Sequence, residues 1–111
     1  MIEQIRGDTR AYNFQRLSAS NNIIKTLPDA LYFTVKKSPR DRNFVLQKRL
    51  DDMSFDSETG TYTFIITPDD TNNLAYGDYV FDIEVIDSGV KTTIALDVFR
   101  LTDEVTWQVN E

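Results

Sequence analysis

The chain contains no cysteine and no histidine among its 111 residues. The lack of cysteine excludes disulfides, thiolate nucleophiles and cysteine-ligated metal centres. Histidine is the commonest general base and a common metal ligand, so its absence removes Ser-His-Asp and Cys-His catalysis. An enzyme would have to rely on Asp, Glu, Lys or Tyr alone. We therefore expect a protein that is not an enzyme, with no catalytic residues, no metal site and no cofactor.

Long apolar runs are also missing. No stretch approaches the ~20 consecutive apolar residues that a membrane helix needs, so we expect no membrane partner. The first residues, Met1-Ile2-Glu3-Gln4, are not a basic stretch followed by an apolar one. The sequence therefore predicts no signal peptide and synthesis in the cytoplasm.

The balance of charge is acidic, with a net charge of -6 and a sequence pI of about 4.5. An acidic surface repels phosphate backbones, so we expect no nucleic-acid partner. Basic residues do gather in residues 36–42 and at Lys48-Arg49. Their favoured interpretation is a solvated loop and a charged edge strand that resists aggregation. A phosphate-binding patch is the alternative.

Apolar and aromatic residues are plentiful, at 41% hydrophobic with seven Phe and five Tyr. This content is enough to fill one core, and the length suits one domain. We place the domain at residues 1–102 and a C-terminal tail at residues 103–111. The dominant pattern is an alternation of apolar and polar residues, which is typical of half-buried strands.

Two hairpins are predicted from this alternation. In the downstream one, Tyr79, Phe81, Ile83 and Val85 share a face, and Ser88-Gly89 forms the turn. The returning strand places five residues on one face: Val90, Thr92, Ile94, Leu96 and Val98. The upstream hairpin spans residues 53–67, and Gly60 suits the position of positive φ at the end of its loop.

The whole chain is predicted as about seven strands of an antiparallel immunoglobulin-like β-sandwich, with a small closed barrel as the competing architecture. One short helical turn is expected near residues 68–74, with Thr67 as N-cap and Pro68 as the first helical residue. A calcium loop at this point is disfavoured because the D-x-D-x-D-G spacing is missing. The strands are expected at residues 2–7, 10–17, 30–37, 43–50, 53–67 (with its hairpin), 78–87 and 90–101.

A Gly-x-Tyr-x-Phe string, Gly77 to Phe81, stands at the entry to the penultimate strand. In immunoglobulin-like domains a tyrosine at this point can bond its hydroxyl to nearby backbone. We expect Tyr79 to do this and Phe81 to occupy the core position where antibody domains carry cysteine. The absence of cysteine excludes the antibody type and leaves the sandwich open.

The tripeptide Arg6-Gly7-Asp8 matches a cell-adhesion motif of animal proteins. At the end of a strand, Gly7 permits an unusual backbone angle, and Asp8 can bond backbone two residues on. With no secretion signal and no disulfides predicted, we interpret the tripeptide as a structural turn.

Several strings of the sequence are similar to a family of small structural proteins of tailed phages and prophages of Gram-positive bacteria. The strings are "RGDT", "ITPDDT", "YGDYVFDIEV" and "LTDEVTW", and the resemblance spans nearly the whole chain. It is similar to the immunoglobulin-like N-terminal domain of the phage baseplate upper protein, although we expect no linker helix and no receptor-binding domain in this sequence. The resemblance implies a virion component that docks onto other tail or baseplate proteins, or onto itself as a homo-oligomer.

The tail carries the candidate partner-binding residues Val105, Trp107 and Val109. Tryptophan is enriched at interface hot spots, so the tail is expected either to fold back onto its own domain or to insert into a neighbour. The alternative function is a carbohydrate- or host-surface-binding module. That alternative predicts exposed aromatic side chains, with Tyr12, Tyr32, Tyr76 and Trp107 as candidates.

Overall fold

Nine strands form two sheets in residues 1–103, the part of the chain that the computed structural model describes. A four-residue helix, α1 (Pro68–Thr71), joins the two sheets, and a 3₁₀ turn occupies Leu50–Asp52. The strands are β1 (Ile2–Ile5), β2 (Arg10–Leu17), β3 (Ile23–Ile24), β4 (Ala30–Lys36), β5 (Leu46–Arg49), β6 (Ser54–Asp56), β7 (Thr61–Ile66), β8 (Gly77–Asp87) and β9 (Val90–Thr102).

The two sheets are separate, so the architecture is a β-sandwich and not a closed barrel. The five-stranded sheet has the order β1-β9-β8-β4-β5, and the four-stranded sheet has the order β3-β2-β7-β6. The run β9-β8-β4-β5 corresponds to strands G, F, C and C′ of an immunoglobulin-like domain, and β2-β7-β6 corresponds to B, E and D. The predicted fold class is confirmed.

The core lies between the sheets and centres on Phe33 of β4, which is fully buried. The centre of its ring lies 4.5 Å from the ring centre of Phe64 in the opposite sheet. The ring centres of Phe81 and Phe99 lie 5.5 Å and 6.5 Å away. Phe33 occupies the strand on which immunoglobulin domains carry their core tryptophan. Burying each such side chain contributes roughly 1.5–3 kcal/mol, and the contact between Phe33 and Phe64 joins the two sheets.

The β8–β9 hairpin is present as predicted, but the predicted buried face of β9 is wrong. The predicted face of β8 is correct, since Tyr79, Phe81, Ile83 and Val85 are all buried. On β9, however, the fully buried residues are Phe99 and Leu101, while Leu96 is 68% exposed.

A β-bulge at Ile94 explains this error. Ile83 pairs with Ala95 and Glu84 pairs with Thr93, so Ile94 is an extra residue with no partner on β8. An extra residue on one strand reverses which side chains face the core beyond it.

Other predicted boundaries also need correction. The first strand ends at Ile5 and not at residue 7, and the strand expected at 43–50 is only Leu46–Arg49. The short β3 was not predicted, and the segment 53–67, which was counted once, contains the two strands β6 and β7. The described residues therefore hold nine strands where about seven were expected. The sandwich is also not purely antiparallel, because β1 pairs in parallel with β9.

The helical turn begins as predicted, with Thr67 preceding Pro68, and it ends at Thr71. The Asp70 carboxylate accepts hydrogen bonds of 2.8 Å from both the Thr67 N–H and Lys48 Nζ. This aspartate therefore caps the helix and forms an ion pair with the edge strand β5. In residues 1–103 no group of three carboxylate side chains converges as a metal site, and no helix there is long and apolar enough to cross a membrane.

Candidate functional site

An apolar cleft of about 280 Å³ opens at the end of the sandwich beside the β8–β9 turn. We call it the hairpin cleft. Strands β2 and β3 of the four-stranded sheet lie on one side, and the hairpin of the five-stranded sheet lies on the other. Its lining residues are Arg16, Leu17, Ile24, Val85, Asp87, Val90, Thr92 and Ile94.

The rim of the hairpin cleft exposes large apolar side chains from both sheets. Leu17 is 58% exposed and Val90 is 64% exposed. Ile94, the bulge residue that has no partner on β8, is also exposed. Isolated apolar side chains are common on protein surfaces, but a contiguous group around a concavity is typical of an interaction site.

Arg16 forms the polar base of the cleft and is almost fully buried. Its Nε donates to Tyr62 Oη at 3.2 Å, and its Nη2 donates to the Thr26 carbonyl at 2.7 Å. Its Nη1 lies 3.8 Å from the Asp87 carboxylate. A buried guanidinium is stable only when its donors are satisfied, and these partners fix its position.

The Arg6-Gly7-Asp8 tripeptide is a turn that packs against the connection from α1 to β8. Gly7 has φ of +89°, and its N–H donates to Thr71 Oγ1 at 3.1 Å. The Arg6 guanidinium carbon lies 4.2 Å from the centre of the Tyr76 ring, a cation–π distance. These contacts agree with the structural interpretation of the tripeptide.

The way in which Asp8 closes this turn differs from the prediction. Its N–H donates to the Ile5 carbonyl at 3.1 Å. Within residues 1–103 its side chain makes no bond to backbone two residues on. The Asp8 carbonyl instead accepts from Nε2 of the buried Gln4 at 3.1 Å.

Three of the aromatic residues predicted as an exposed binding set, Tyr12, Tyr32 and Tyr76, lie in the described part of the chain, and they do not form one surface. Tyr12 lies at the edge of the core, stacks on Phe64 at 5.6 Å and donates to the buried Gln4 Oε1. Burial raises the pKa of the Tyr12 hydroxyl, and the nearby Arg10 only partly offsets this effect. The Tyr76 ring, in the connection from α1 to β8, lies against the Arg6 guanidinium.

Of these three tyrosines, only Tyr32 lies on the outer face of the five-stranded sheet, where it lines a second concavity of about 330 Å³. We call this concavity the sheet-face groove. The predicted partner-binding residues Val105, Trp107 and Val109 lie outside the described residues. The groove is lined by Tyr32, Thr34, Lys36, Arg42, Phe44, Gln47, Asp82, Glu84 and Lys91.

Sequence reasoning did not identify the groove as a site. The alternation in β8 did place Asp82 and Glu84 on the polar face, but it could not show which strand is their neighbour. The pairing of β4 with β8 sets Tyr32 opposite Glu84 and Thr34 opposite Asp82. Phe44 was assigned to a strand, yet it lies in the loop before β5 and is half exposed.

The surroundings in the groove shift the pKa of one of its carboxylates, that of Asp82. Partial burial raises the pKa of Asp82 above its usual value, and the neighbouring negative charge of Glu84 raises it further. Lys36 and Lys91 act in the opposite direction without cancelling the rise. Asp82 is thus a carboxylate whose charge the fold stabilises poorly.

No protein-family model matches the chain, and no curated protein is significantly similar to it. Among solved structures, the chain is similar to an endo-beta-1,4-mannanase from Thermotoga petrophila, with a TM-score of 0.60 and 14% sequence identity. The alignment covers 93% of this chain but only 18% of the mannanase chain. At this identity the likeness shows a shared fold alone.

Proposed function

We propose that the chain is a non-catalytic structural module of a phage tail or baseplate that docks onto other protein subunits of the virion. The observation that carries the docking role is the hairpin cleft, with its exposed apolar rim. The virion assignment is supported by the resemblance of "RGDT", "ITPDDT", "YGDYVFDIEV" and "LTDEVTW" to phage structural proteins.

The cleft suits a protein partner that inserts an apolar side chain between the two sheets. Leu17 and Val90 lie on opposite sides of the cleft, and covering both would remove exposed apolar surface from water. An interface commonly places such apolar contacts at its centre and polar groups at its rim. The Arg16–Asp87 pair lies beside the apolar contacts and can select for a partner of matching polarity. The occupant is a neighbouring tail or baseplate subunit, and a second copy of this chain is one such neighbour.

The test uses virions of the phage or prophage that encodes the chain. We expect the wild-type chain to co-purify with tail or baseplate particles in a fixed ratio to their other subunits. The Val90→Glu variant should remain folded but be lost from the particles, because docking would have to remove the new carboxylate from water at a place where the partner presents an apolar side chain.

Leu96→Glu is the matched control, since Leu96 lies on the same strand, is equally exposed and lies outside the cleft. This variant should still enter the particles. If purified virions lack the wild-type chain, the virion assignment fails. If Val90→Glu is incorporated as well as Leu96→Glu, the cleft is not the docking surface.

Self-association is tested separately by light scattering on the full chain and on a chain that ends at Thr102. A defined oligomer that becomes a monomer on truncation would assign the contact to the tail residues Val105, Trp107 and Val109. An oligomer that persists after truncation but dissociates in Val90→Glu would assign the contact to the hairpin cleft.

A further inference from the structure

We infer that the sheet-face groove is a saccharide-binding site, independent of the docking role of the hairpin cleft. The groove lies on the outer face of the five-stranded sheet and is lined by residues from β4, β5, β8, β9 and the loop before β5. The hairpin cleft shares none of these residues. A chain could therefore occupy both sites at the same time.

The size and shape of the groove suit a small polar ligand. Its volume of about 330 Å³ lies at the lower end of the roughly 300–1,000 Å³ that small-molecule sites occupy. Tyr32 and Phe44 supply two aromatic rings. Phe44 is half exposed, so covering its ring with a ligand would remove apolar surface from water. Sugar rings present flat C–H surfaces, and such surfaces pack well against the electron-rich face of an aromatic ring.

Polar side chains beside these rings are already held in place by their neighbours. Gln47 Nε2 donates to Thr34 Oγ1 at 3.1 Å, and Gln47 Oε1 accepts from Arg49 Nε at 3.3 Å. On the other side of the groove, Lys91 Nζ lies 3.4 Å from Glu84 Oε1. Because two hydrogen bonds already orient Gln47, this side chain loses little freedom when a ligand binds, which favours affinity.

The balance of charge in the groove identifies the class of ligand. Three cationic side chains (Lys36, Arg42 and Lys91) stand with two anionic ones (Asp82 and Glu84). A phosphate site would be dominated by donors, and a cation site by carboxylates. A hydroxyl group both donates and accepts, so a ligand rich in hydroxyls can use carboxylates, amides and ammonium groups together. A neutral saccharide combines these hydroxyls with the apolar ring faces that Tyr32 and Phe44 require.

The proposal is tested by titrating ¹⁵N-labelled full-length protein with three neutral hexaoses: cellohexaose, maltohexaose and chitohexaose. We expect at least one to give saturable amide shifts that are confined to the groove-lining parts of β4, β5, β8 and β9 and to the loop at Phe44. Phe44→Ala should weaken this binding about tenfold, the loss expected for removing one stacked ring. Phe44 lies in an exposed loop, so the fold should survive, and the spectrum itself reports this.

Gln47→Ala should also weaken binding without removing an aromatic ring, whereas Tyr76→Ala is the control. Tyr76 is an equally exposed aromatic residue, but it lies against Arg6 and outside the groove. The proposal is overturned if no hexaose gives saturable shifts at about 10 mM, a concentration that would nearly saturate a site with a ~1 mM Kd. It is also overturned if Phe44→Ala and Tyr76→Ala bind equally, or if inorganic phosphate produces the groove shifts and the hexaoses do not.

Discussion

The hydroxyl of Tyr79 donates a hydrogen bond of 2.7 Å to the carbonyl of Ala75, four residues earlier in the chain. The bond closes the connection between α1 and β8, where the chain returns from one sheet to the other. The Tyr79 ring is buried in the core, so the same side chain fixes both the strand and the loop before it. This arrangement matches the tyrosine corner of immunoglobulin-like domains.

Tyr79→Phe removes this hydroxyl and leaves the buried ring. We expect a loss of about 0.5–1.5 kcal/mol in the free energy of unfolding, the usual net value of one hydrogen bond. Urea unfolding followed by fluorescence measures this loss. Tyr32→Phe is the control, because the Tyr32 hydroxyl has no hydrogen-bond partner within residues 1–103. Equal stability of the two variants would show that the corner bond contributes nothing.

The tyrosine corner could be predicted from the sequence because all its parts are local. Gly77, Tyr79 and Phe81 lie within five residues, and the acceptor lies just before them. The start of α1 is local in the same sense, since Thr67 and Pro68 are adjacent to the turn they define. Such features depend on backbone angles and short-range bonds, which neighbouring residues determine.

The face of β9 could not be predicted in the same way. Alternation through Leu96 and Val98 indicated one face, whereas Phe99 and Leu101 indicated the other. This change of parity was the available signal for a bulge, and Ile94 is where the structure places it. The sheet-face groove was harder still, because it requires the spatial order β5-β4-β8-β9, which no local pattern encodes. The short β3 was missed because two apolar residues are too few to show a period.

Gly60 occupies a position that requires glycine for two separate reasons. Its φ is +73°, and an added Cβ would lie 2.7 Å from Ile23 Cγ2 and 2.9 Å from the Ile24 carbonyl oxygen. We therefore expect Gly60→Ala to destabilise the fold by more than the roughly 1–2 kcal/mol that a positive φ alone costs a residue with a Cβ. The change should also displace β3, which forms one side of the hairpin cleft.

Gly89→Ala separates the two effects. Gly89 has a similar φ of +79°, but nothing lies within 4 Å of its added Cβ. The difference between the two unfolding free energies therefore measures the collision with β3. If Gly60→Ala and Gly89→Ala are equally destabilising, β3 can shift away from the added methyl group without loss of stability. The short distance between Gly60 and β3 would then not be what requires glycine.

Asp70 should make the protein less stable in acid. Burial tends to raise the pKa of Asp70, but the hydrogen bonds from Lys48 and Thr67 outweigh burial and lower the pKa overall. Because the folded pKa is below the unfolded value of about 3.9, the stabilisation is fully present above that pH. It is lost as the pH falls through the folded pKa.

The ion pair behind this effect is mostly buried, with the side chains of Lys48 and Asp70 16% and 20% exposed. We expect Asp70→Asn to lose about 1–3 kcal/mol at pH 7 and progressively less as the pH falls below about 3.9, as measured by urea unfolding at each pH. Asp69→Asn is the control, since Asp69 is exposed on the same turn. A loss that does not change with pH would mean that the carboxylate charge is not what stabilises the turn.

Asp82 should have the opposite effect, because its folded pKa is raised by burial and by Glu84. When the folded pKa exceeds the unfolded one, ionisation at neutral pH weakens the fold, and this penalty disappears as the pH falls below about 3.9. Asp82→Asn should therefore stabilise the protein by about 0.5 kcal/mol at pH 7 and by almost nothing near pH 3.

Asp41→Asn, in an exposed loop, is the control and should leave unfolding unchanged at both pH values. Asp82 also lines the sheet-face groove, so the same variant can test whether this carboxylate contacts the ligand. Titrating the hexaose that binds wild type into Asp82→Asn decides this point. If Asp82→Asn is more stable than wild type but binds the hexaose more weakly, the Asp82 carboxylate destabilises the fold and serves as a hydrogen-bond acceptor for the ligand. Unchanged binding would show that the Asp82 carboxylate does not contribute to ligand binding.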